Sequence, residues 1–368
     1  MTNINTYMPV EIISGKDCVK NFSRYNLLGN KCAIITGKNM YKKCPVIDDL
    51  KVALLKNNVE YILICEAENN PTPKNVFSMA AKAIEFGAEF IIGVGGGSSM
   101  DAAKAVALVI TNSGVSEDNI FKYKFENKPL PSIMIGTTAG TGSEVMPSAV
   151  LTIPGKKYTI KKGLKTRDSY AVFALCDPQY TYTLPESYTV STALDSVCHA
   201  IEAMYSKNAN EFTTMYAHSA LNCVMNSLKE FNETSVITSK MRDDFYYGSI
   251  MAGMALNNGG TSCAHSLGYL LTTMHDIPHG FACAAFIGEF LKRCGQLYDI
   301  SKTLSSLGFE TVSDFTVFVK ELNRKYSNIP TLTEKQISEY AEEGILLNVN
   351  NNHLNITLED CKEFYRNI

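Results

Sequence analysis

The sequence predicts a two-domain protein: an α/β half built on a parallel sheet, followed by an all-helical half. Short apolar runs alternate with amphipathic stretches through the first half, as in chains where helices cover both faces of a parallel sheet. After about Pro178 the patterns become helical and no comparable β-rich run follows. With 368 residues the chain is long enough for two substantial cores. The predicted domains are residues 1–178 and 179–368.

In chain order, the strands expected are Cys32–Gly37, Tyr61–Glu66, Phe90–Gly95, Ser132–Gly136 and Val172–Cys176, each short, apolar on both faces and bounded by Gly, Pro or polar residues. Helical patterns fall at Val46–Asn57, Lys74–Phe86 and Ser99–Thr111. Pro154-Gly155 is placed to turn a hairpin between Val150–Ile153 and Tyr158–Lys161. In the second half, Thr189–Ser206, Glu211–Asn226, Lys240–Asn257 and Gly280–Cys294 read as helices, with further surface helices after Leu307. No repeat or low-complexity linker separates the halves, so a ligand cleft is expected where they meet.

Composition excludes several classes. Charged residues make up 19% with a net charge of -3, and no basic run gives a nucleic-acid or anionic-membrane footprint. No apolar stretch is long enough for a membrane span, and the first fifteen residues lack the pattern of a secretory leader. The eleven cysteines form no CxxC pair and read as buried free thiols. A cytoplasmic protein is expected.

Two loops carry ligand-binding chemistry. Gly95-Gly96-Gly97-Ser98-Ser99-Met100-Asp101 runs from a strand into a helix. Its glycines let backbone amides approach an anion, and the helix turns its positive end to the same place, so a pyrophosphate suits it. A tight turn without a ligand is the plain alternative. The second loop, Gly136-Thr137-Thr138-Ala139-Gly140-Thr141-Gly142-Ser143-Glu144, also follows a strand and offers hydroxyls for a ribose or an amide. Two such loops at strand carboxyl ends suit an open α/β sheet that binds a ligand there.

Asp195 and His199 lie four apart in a helical pattern and share a face. His265, His275 and His279 follow in a chain with only six histidines. One carboxylate with two or three imidazoles suits a borderline divalent ion, Fe²⁺ or Zn²⁺. His218 and His353 read as structural or surface residues.

Taken together, GGGSSMD (Gly95–Asp101), GTTAGTGSE (Gly136–Glu144), the Asp177–Glu202 stretch ending STALDSVCHAIE, and the HSLG and PHG pieces between His265 and Gly280 resemble the iron-containing (group III) alcohol dehydrogenases. The resemblance implies an N-terminal Rossmann-like dinucleotide-binding domain and an all-α metal-binding domain of the dehydroquinate-synthase-like fold. It implies Asp195, His199, His265 and His279 as ligands of one divalent metal, Fe²⁺ first and Zn²⁺ second. It places Gly96, Gly97 and Ser98 at the pyrophosphate, Asp101 beside the cofactor, Thr137, Thr138 and Thr141 near the nicotinamide half, Lys161 at its ribose and Asn70 near the adenosine.

NAD-preferring members often carry Asp at the end of the first main strand; here Gly37 stands there, followed by Lys38. NADP is therefore expected over NAD. Many members have a second histidine four residues after the third ligand, where this chain has Tyr269. A phenol is a poor proton shuttle at neutral pH, which leaves His275 or ordered water for the proton. The implied activity is hydride transfer between NAD(P)(H) and a small primary alcohol or aldehyde, in a homodimer or larger assembly. The alternatives are a zinc polyol dehydrogenase of the glycerol-dehydrogenase type and a non-catalytic nucleotide-binding relative. A dehydroquinate-synthase-like lyase would need a basic phosphate-binding set that is absent from the motifs.

Overall fold

The computed structural model describes residues 4–39, 44–155 and 157–368. The chain forms two compact units. One comprises Tyr7–Thr138 and Ser143–Thr183; the other gathers the described residues before Tyr7, Ala139–Gly142 and Leu184–Ile368.

The first unit holds a six-stranded sheet, every pairing parallel, in the order β1-β8-β5-β4-β2-β3. Its strands are β1 (Glu11–Ser14), β2 (Lys31–Gly37), β3 (Glu60–Ala67), β4 (Phe90–Gly95), β5 (Ser132–Gly136) and β8 (Phe173–Cys176). β6 (Ala149–Pro154) and β7 (Thr159–Leu164) form a separate antiparallel hairpin. Alternation along the strands divides the core in two. Cys32, Ile34, Ile92, Val94, Ile133 and Ile135 join the cluster containing Val46, Leu50 and Leu54 of α2 (Val46–Lys56). Ala33, Ile35, Ile91 and Met134 join the cluster of α3 (Pro73–Phe86) and α4 (Gly97–Ile110). A four-residue helix, α1 (Cys18–Asn21), precedes them.

Two strands differ from expectation. β1 is too short to show a period, and it pairs with β8 alone among the described strands. β3 is not buried on both faces: it closes one sheet edge and leaves Glu60 and Tyr61 exposed.

The strand order positions the first loop. After β2 the chain moves outward to β3, then returns past β2 to β4. The carboxyl ends of β2 and β4 therefore flank the reversal, where open α/β sheets bind ligands. Gly37 ends one and Gly95, at φ 141°, ends the other. Gly93 lets α4 approach β4 closely, because a Cβ there would lie 2.8 Å from Ala103 Cβ.

The second unit is helical: α5 (Glu186–Met204), α6 (Glu211–Thr234), α7 (Ser239–Gly259), α8 (Cys263–His275), α9 (His279–Cys294), α10 (Ser301–Leu307), α11 (Val312–Tyr326), α12 (Glu334–Gly344) and α13 (Leu358–Arg366). Side-chain caps set many of the starts; Asn210 accepts from the Thr213 amide and Thr311 from the Asp314 amide. α5 is buried almost all round from Thr189 onward, which makes it the central rod. α8 had no counterpart among the expected helices. Two glycines bring its neighbours close. Gly268 of α8 lies against the backbone of Ala282 and Cys283, and Gly280 of α9 against Ser191 of α5.

Candidate active site

In the α/β unit, Gly96 caps α4 in an extended conformation, and its carbonyl accepts from the Ser99 and Met100 amides at 3.0 and 3.2 Å. The amides of Gly97 and Ser98 come before those bonds, at the positive end of a fourteen-residue helix. A Cβ on Gly96 would stand 3.3 Å from Thr138, so the two glycine loops meet there. Thr137 is buried, and its amide donates to the Gly95 carbonyl at 2.9 Å. The Ser98 hydroxyl bonds the Asn69 carbonyl, and Asn70 beside it is exposed. Thr141 lies in the segment Ala139–Gly142 that groups with the helical unit.

Asp101 is held by the protein itself. Its carboxylate accepts from the Ser143 hydroxyl at 2.6 Å, the Val150 amide at 3.0 Å and Lys104 at 3.5 Å. Lys104, which sequence reasoning missed, is fully buried and also donates to Ser143 Oγ at 2.6 Å and the Ser148 carbonyl at 3.0 Å. Burial lowers its pKa, while Asp101 and Glu144 pull the other way. These bonds tie α4, which follows the first glycine loop, to the end of the second loop. On the hairpin, Lys161 pairs in register with Thr152, and Lys162 lies over the Phe121 ring at 5.0 Å. Gly37 is half-buried with Lys38 exposed beside it. A Cβ at Gly37 would meet only ordinary contacts, 3.7 Å from the Ala67 carbonyl and 3.8 Å from Ser99 Oγ.

In the helical unit, three helices converge on one buried spot. Asp195, His199 and Glu202 occupy one face of α5 at i, i+4 and i+7. His265 comes from the first turn of α8, and His279 opens α9. Asp195 Oδ1 is 3.3 Å from His265 Nε2, 3.9 Å from His279 Nε2 and 4.0 Å from His199 Nε2. The His199 and His265 rings stack at 4.4 Å. Cys283, one turn along α9 from His279, joins them: with Asp195, His265 and His279 its ligand atom falls in a group within 4.8 Å of one another. His279 Nδ1 also lies 3.4 Å from Thr272 Oγ1, and its ring stacks on Tyr269 at 5.4 Å.

The imidazoles are aimed from behind. Glu202 is completely buried; it accepts from the amides of Ser262, Ala264 and His265 at 3.1, 2.6 and 3.3 Å and bonds His265 Nδ1. The Gly140 carbonyl takes His199 Nδ1 at 3.1 Å. With each Nδ1 donating to an oxygen, each Nε2 faces Asp195. Asp195 Oδ1 and His265 Nε2 are buried, close enough for an ion pair, yet neither has a hydrogen-bond partner among the described residues. Donors held about 2.0–2.1 Å from one tetrahedral ion stand about 3.3 Å apart, so this pair has the spacing of two metal ligands. The donor set fits a divalent cation.

Electrostatics point the same way. Burial opposes charge on Asp195, but His199, His265 and His279 hold its carboxyl well below the ordinary value. Burial also opposes charge on His265, but Cys283, Glu202 and Asp195 raise it well above its ordinary value. At His199 burial prevails over Asp195 and the pKa falls. Surroundings that draw a proton to His265 Nε2 also draw a cation, and binding that cation releases the proton. Burial pushes the Tyr269 phenol up to about 12, against the pull of His265. His275 is not gathered into the cluster: its Nε2 pairs with Tyr340 Oη at 3.0 Å and its ring packs edge-on against that phenol. His218 bonds Ser306 at 2.9 Å, and His353 is exposed.

A sequence profile for iron-containing alcohol dehydrogenases matches residues 9–178, and the profile of that family's C-terminal domain matches residues 189–366. The sulfoacetaldehyde reductase of Bilophila wadsworthia is 31% identical over 285 residues, covering 76% of this chain and 73% of that protein. The chain belongs to the iron-containing alcohol dehydrogenase family. The 4-hydroxybutyrate dehydrogenase of Clostridium kluyveri is 30% identical over 298 residues, covering 76% of this chain and 78% of that one. The crystal structure of an iron-containing alcohol dehydrogenase from Thermotoga maritima superposes with a TM-score of 0.88 at 30% identity, covering 98% of both chains. This member of the family is an NAD(P)-dependent oxidoreductase acting between alcohols and aldehydes. The comparisons favour neither the polyol-oxidising alternative nor a non-catalytic relative. Among its described residues no helix is long and apolar enough to cross a membrane.

Proposed function

We propose that this dehydrogenase interconverts a small aldehyde and its primary alcohol with NADP(H) as preferred cofactor, using one Fe²⁺ or Zn²⁺ ion held by Asp195, His199, His265 and His279. The observation that carries the reading is the facing pair of orphaned buried atoms, Asp195 Oδ1 and His265 Nε2. A divalent ion there supplies Lewis-acid polarisation of the substrate oxygen, while the nicotinamide carries the hydride. Asp195 is the sole anion of the proposed set, which leaves the centre net positive and suited to an oxygen that gains negative charge. Glu202 and the Gly140 carbonyl keep two imidazoles in the donor-ready tautomer. Tyr269 stays protonated at neutral pH and, stacked on the His279 ring, acts as a wall of the site. Since Tyr340 holds the ring of His275, proton exchange is assigned to ordered water. Free thiols throughout the chain support a reducing, cytoplasmic setting.

In the α/β unit, Gly96, Gly97 and Ser98 are assigned to the pyrophosphate. Asp101 shapes that loop, Thr137, Thr138, Thr141 and Lys161 serve the nicotinamide half, and Asn70 the adenosine. Gly37 offers no carboxylate to ribose hydroxyls and no repulsion to a 2′-phosphate, and Lys38 adds a cation. Gly37→Asp has room for its Cβ. It should move the ratio of kcat/KM for NADPH over NADH towards NADH by at least roughly tenfold, about 1.4 kcal/mol of differential binding. An unchanged ratio refutes the role of Gly37.

Oxidation of NADPH with a panel of short aldehydes tests the reaction. The panel should include aldehydes with an anionic far end, since one relative is named for sulfoacetaldehyde and another for the alcohol 4-hydroxybutyrate. Turnover should vanish on chelation and return with Fe²⁺ or Zn²⁺. Full turnover after chelation, with no metal in the protein, overturns the reading.

A further inference from the structure

We propose that Cys283 is a donor to the same ion, making this a thiol-containing centre that holds thiophilic cations. The assignment rests on the reading that an ion sits among Asp195, His199, His265 and His279. Cys283 is fully buried on α9, one turn beyond His279, and its Sγ lies 3.7 Å from His279 Nε2. Ligand atoms of Asp195, His265, His279 and Cys283 all fall within 4.8 Å of one another. Sulfur bound at about 2.3 Å and nitrogen at about 2.0 Å to one tetrahedral ion lie roughly 3.5 Å apart, close to the spacing seen. Backbone packing brings α9 close to α8 at this point, because a Cβ on Gly268 would stand 3.0 Å from the Cys283 Cα, so only glycine there admits the Cys283 backbone.

Ligation costs the thiol its proton, which leaves to solvent as the ion enters; the thiolate would join Asp195 as a second anionic donor and bring the four-ligand centre from net positive to near neutral, and no electron is transferred. A sulfur donor shifts preference towards Zn²⁺ and Co²⁺ over harder ions such as Mn²⁺. Five protein donors exceed the four of a tetrahedral shell, so Cys283 or one of the imidazoles would have to yield for a substrate oxygen to be polarised there.

The test is absorption spectroscopy of the full-length enzyme loaded with Co²⁺. Visible ligand-field bands report the ion in its site, and a near-ultraviolet sulfur-to-cobalt charge-transfer band reports the thiolate. Wild type should show both. Cys283→Ser should keep the visible bands, lose the charge-transfer band and release Zn²⁺ to a competing chelator roughly tenfold more readily or worse. Cys198→Ser, beside His199, should keep the band. Visible bands without charge transfer in wild type, or a band that survives Cys283→Ser, overturn the role of Cys283 and leave the four-ligand reading standing. Failure of wild type to bind Co²⁺, or Co²⁺ binding by His265→Ala equal to wild type, overturns the two together.

Discussion

His265→Ala is expected to remove bound metal and turnover together, with kcat/KM falling by about a thousandfold or more. Stabilising charge on a substrate oxygen is worth several kcal/mol when an ion supplies it, and about 4 kcal/mol corresponds to that loss. His265 is the imidazole whose loss removes most. Its Nε2 is nearest to Asp195, its ring stacks on His199, and its Nδ1 is the side-chain partner of Glu202. The variant still leaves Glu202 with amide donors from Ser262 and Ala264, so the helix start should persist. Metal analysis beside a thermal melt separates a lost ligand from a lost fold. A metal-free but folded variant with wild-type turnover defeats the mechanism.

Gly280→Ala should act nearly as strongly from outside the cluster. A Cβ at this position would overlap the Ser191 carbonyl and stand 2.6 Å from its carbon, so α9 must draw back from α5. Overpacking of this kind costs about 1–3 kcal/mol. The displaced helix carries His279, which now stands 3.9 Å from Asp195. A shift of about 1 Å in such a site costs roughly 100-fold in rate. The expected result is a Tm lowered by several degrees, weaker metal retention and a turnover loss of that order. Gly163→Ala, where a Cβ meets nothing within 4 Å, is the control. Wild-type melting and turnover in Gly280→Ala would mean that the α5–α9 contact does not govern the site.

The strands that position the cofactor loops were the most legible part of the chain. Phe90–Gly95 and Ser132–Gly136 occur with the expected bounds, because apolar runs flanked by Gly and Pro have few other ways to be satisfied. β1 was invisible because four residues carry no period. The helix α8 was obscured by Gly268 and by a mixed Ser and Thr pattern, although that glycine is what admits α9. The histidines and Asp195 were visible as residue types, and family motifs supplied their grouping. Glu202 stood inside the quoted motif without a role, since nothing in a one-dimensional pattern shows that a carboxylate three residues after His199 turns towards the start of α8. Cys283 hid among eleven cysteines. Its spacing of four from His279 at the head of a helix was the available signal.

The bond from His199 Nδ1 to the Gly140 carbonyl has an evolutionary corollary. An oxygen of the peptide chain cannot be exchanged by any codon change, but a Cβ at position 140 would stand 2.7 Å from the Thr192 carbonyl, so that imidazole keeps its orientation as long as Gly140 and the loop path survive. His265 leans instead on a side chain that one nucleotide change can convert to glutamine or lysine. Drift in metal affinity among descendants of this enzyme should therefore accumulate through Glu202, while His199 changes only when the loop is rebuilt.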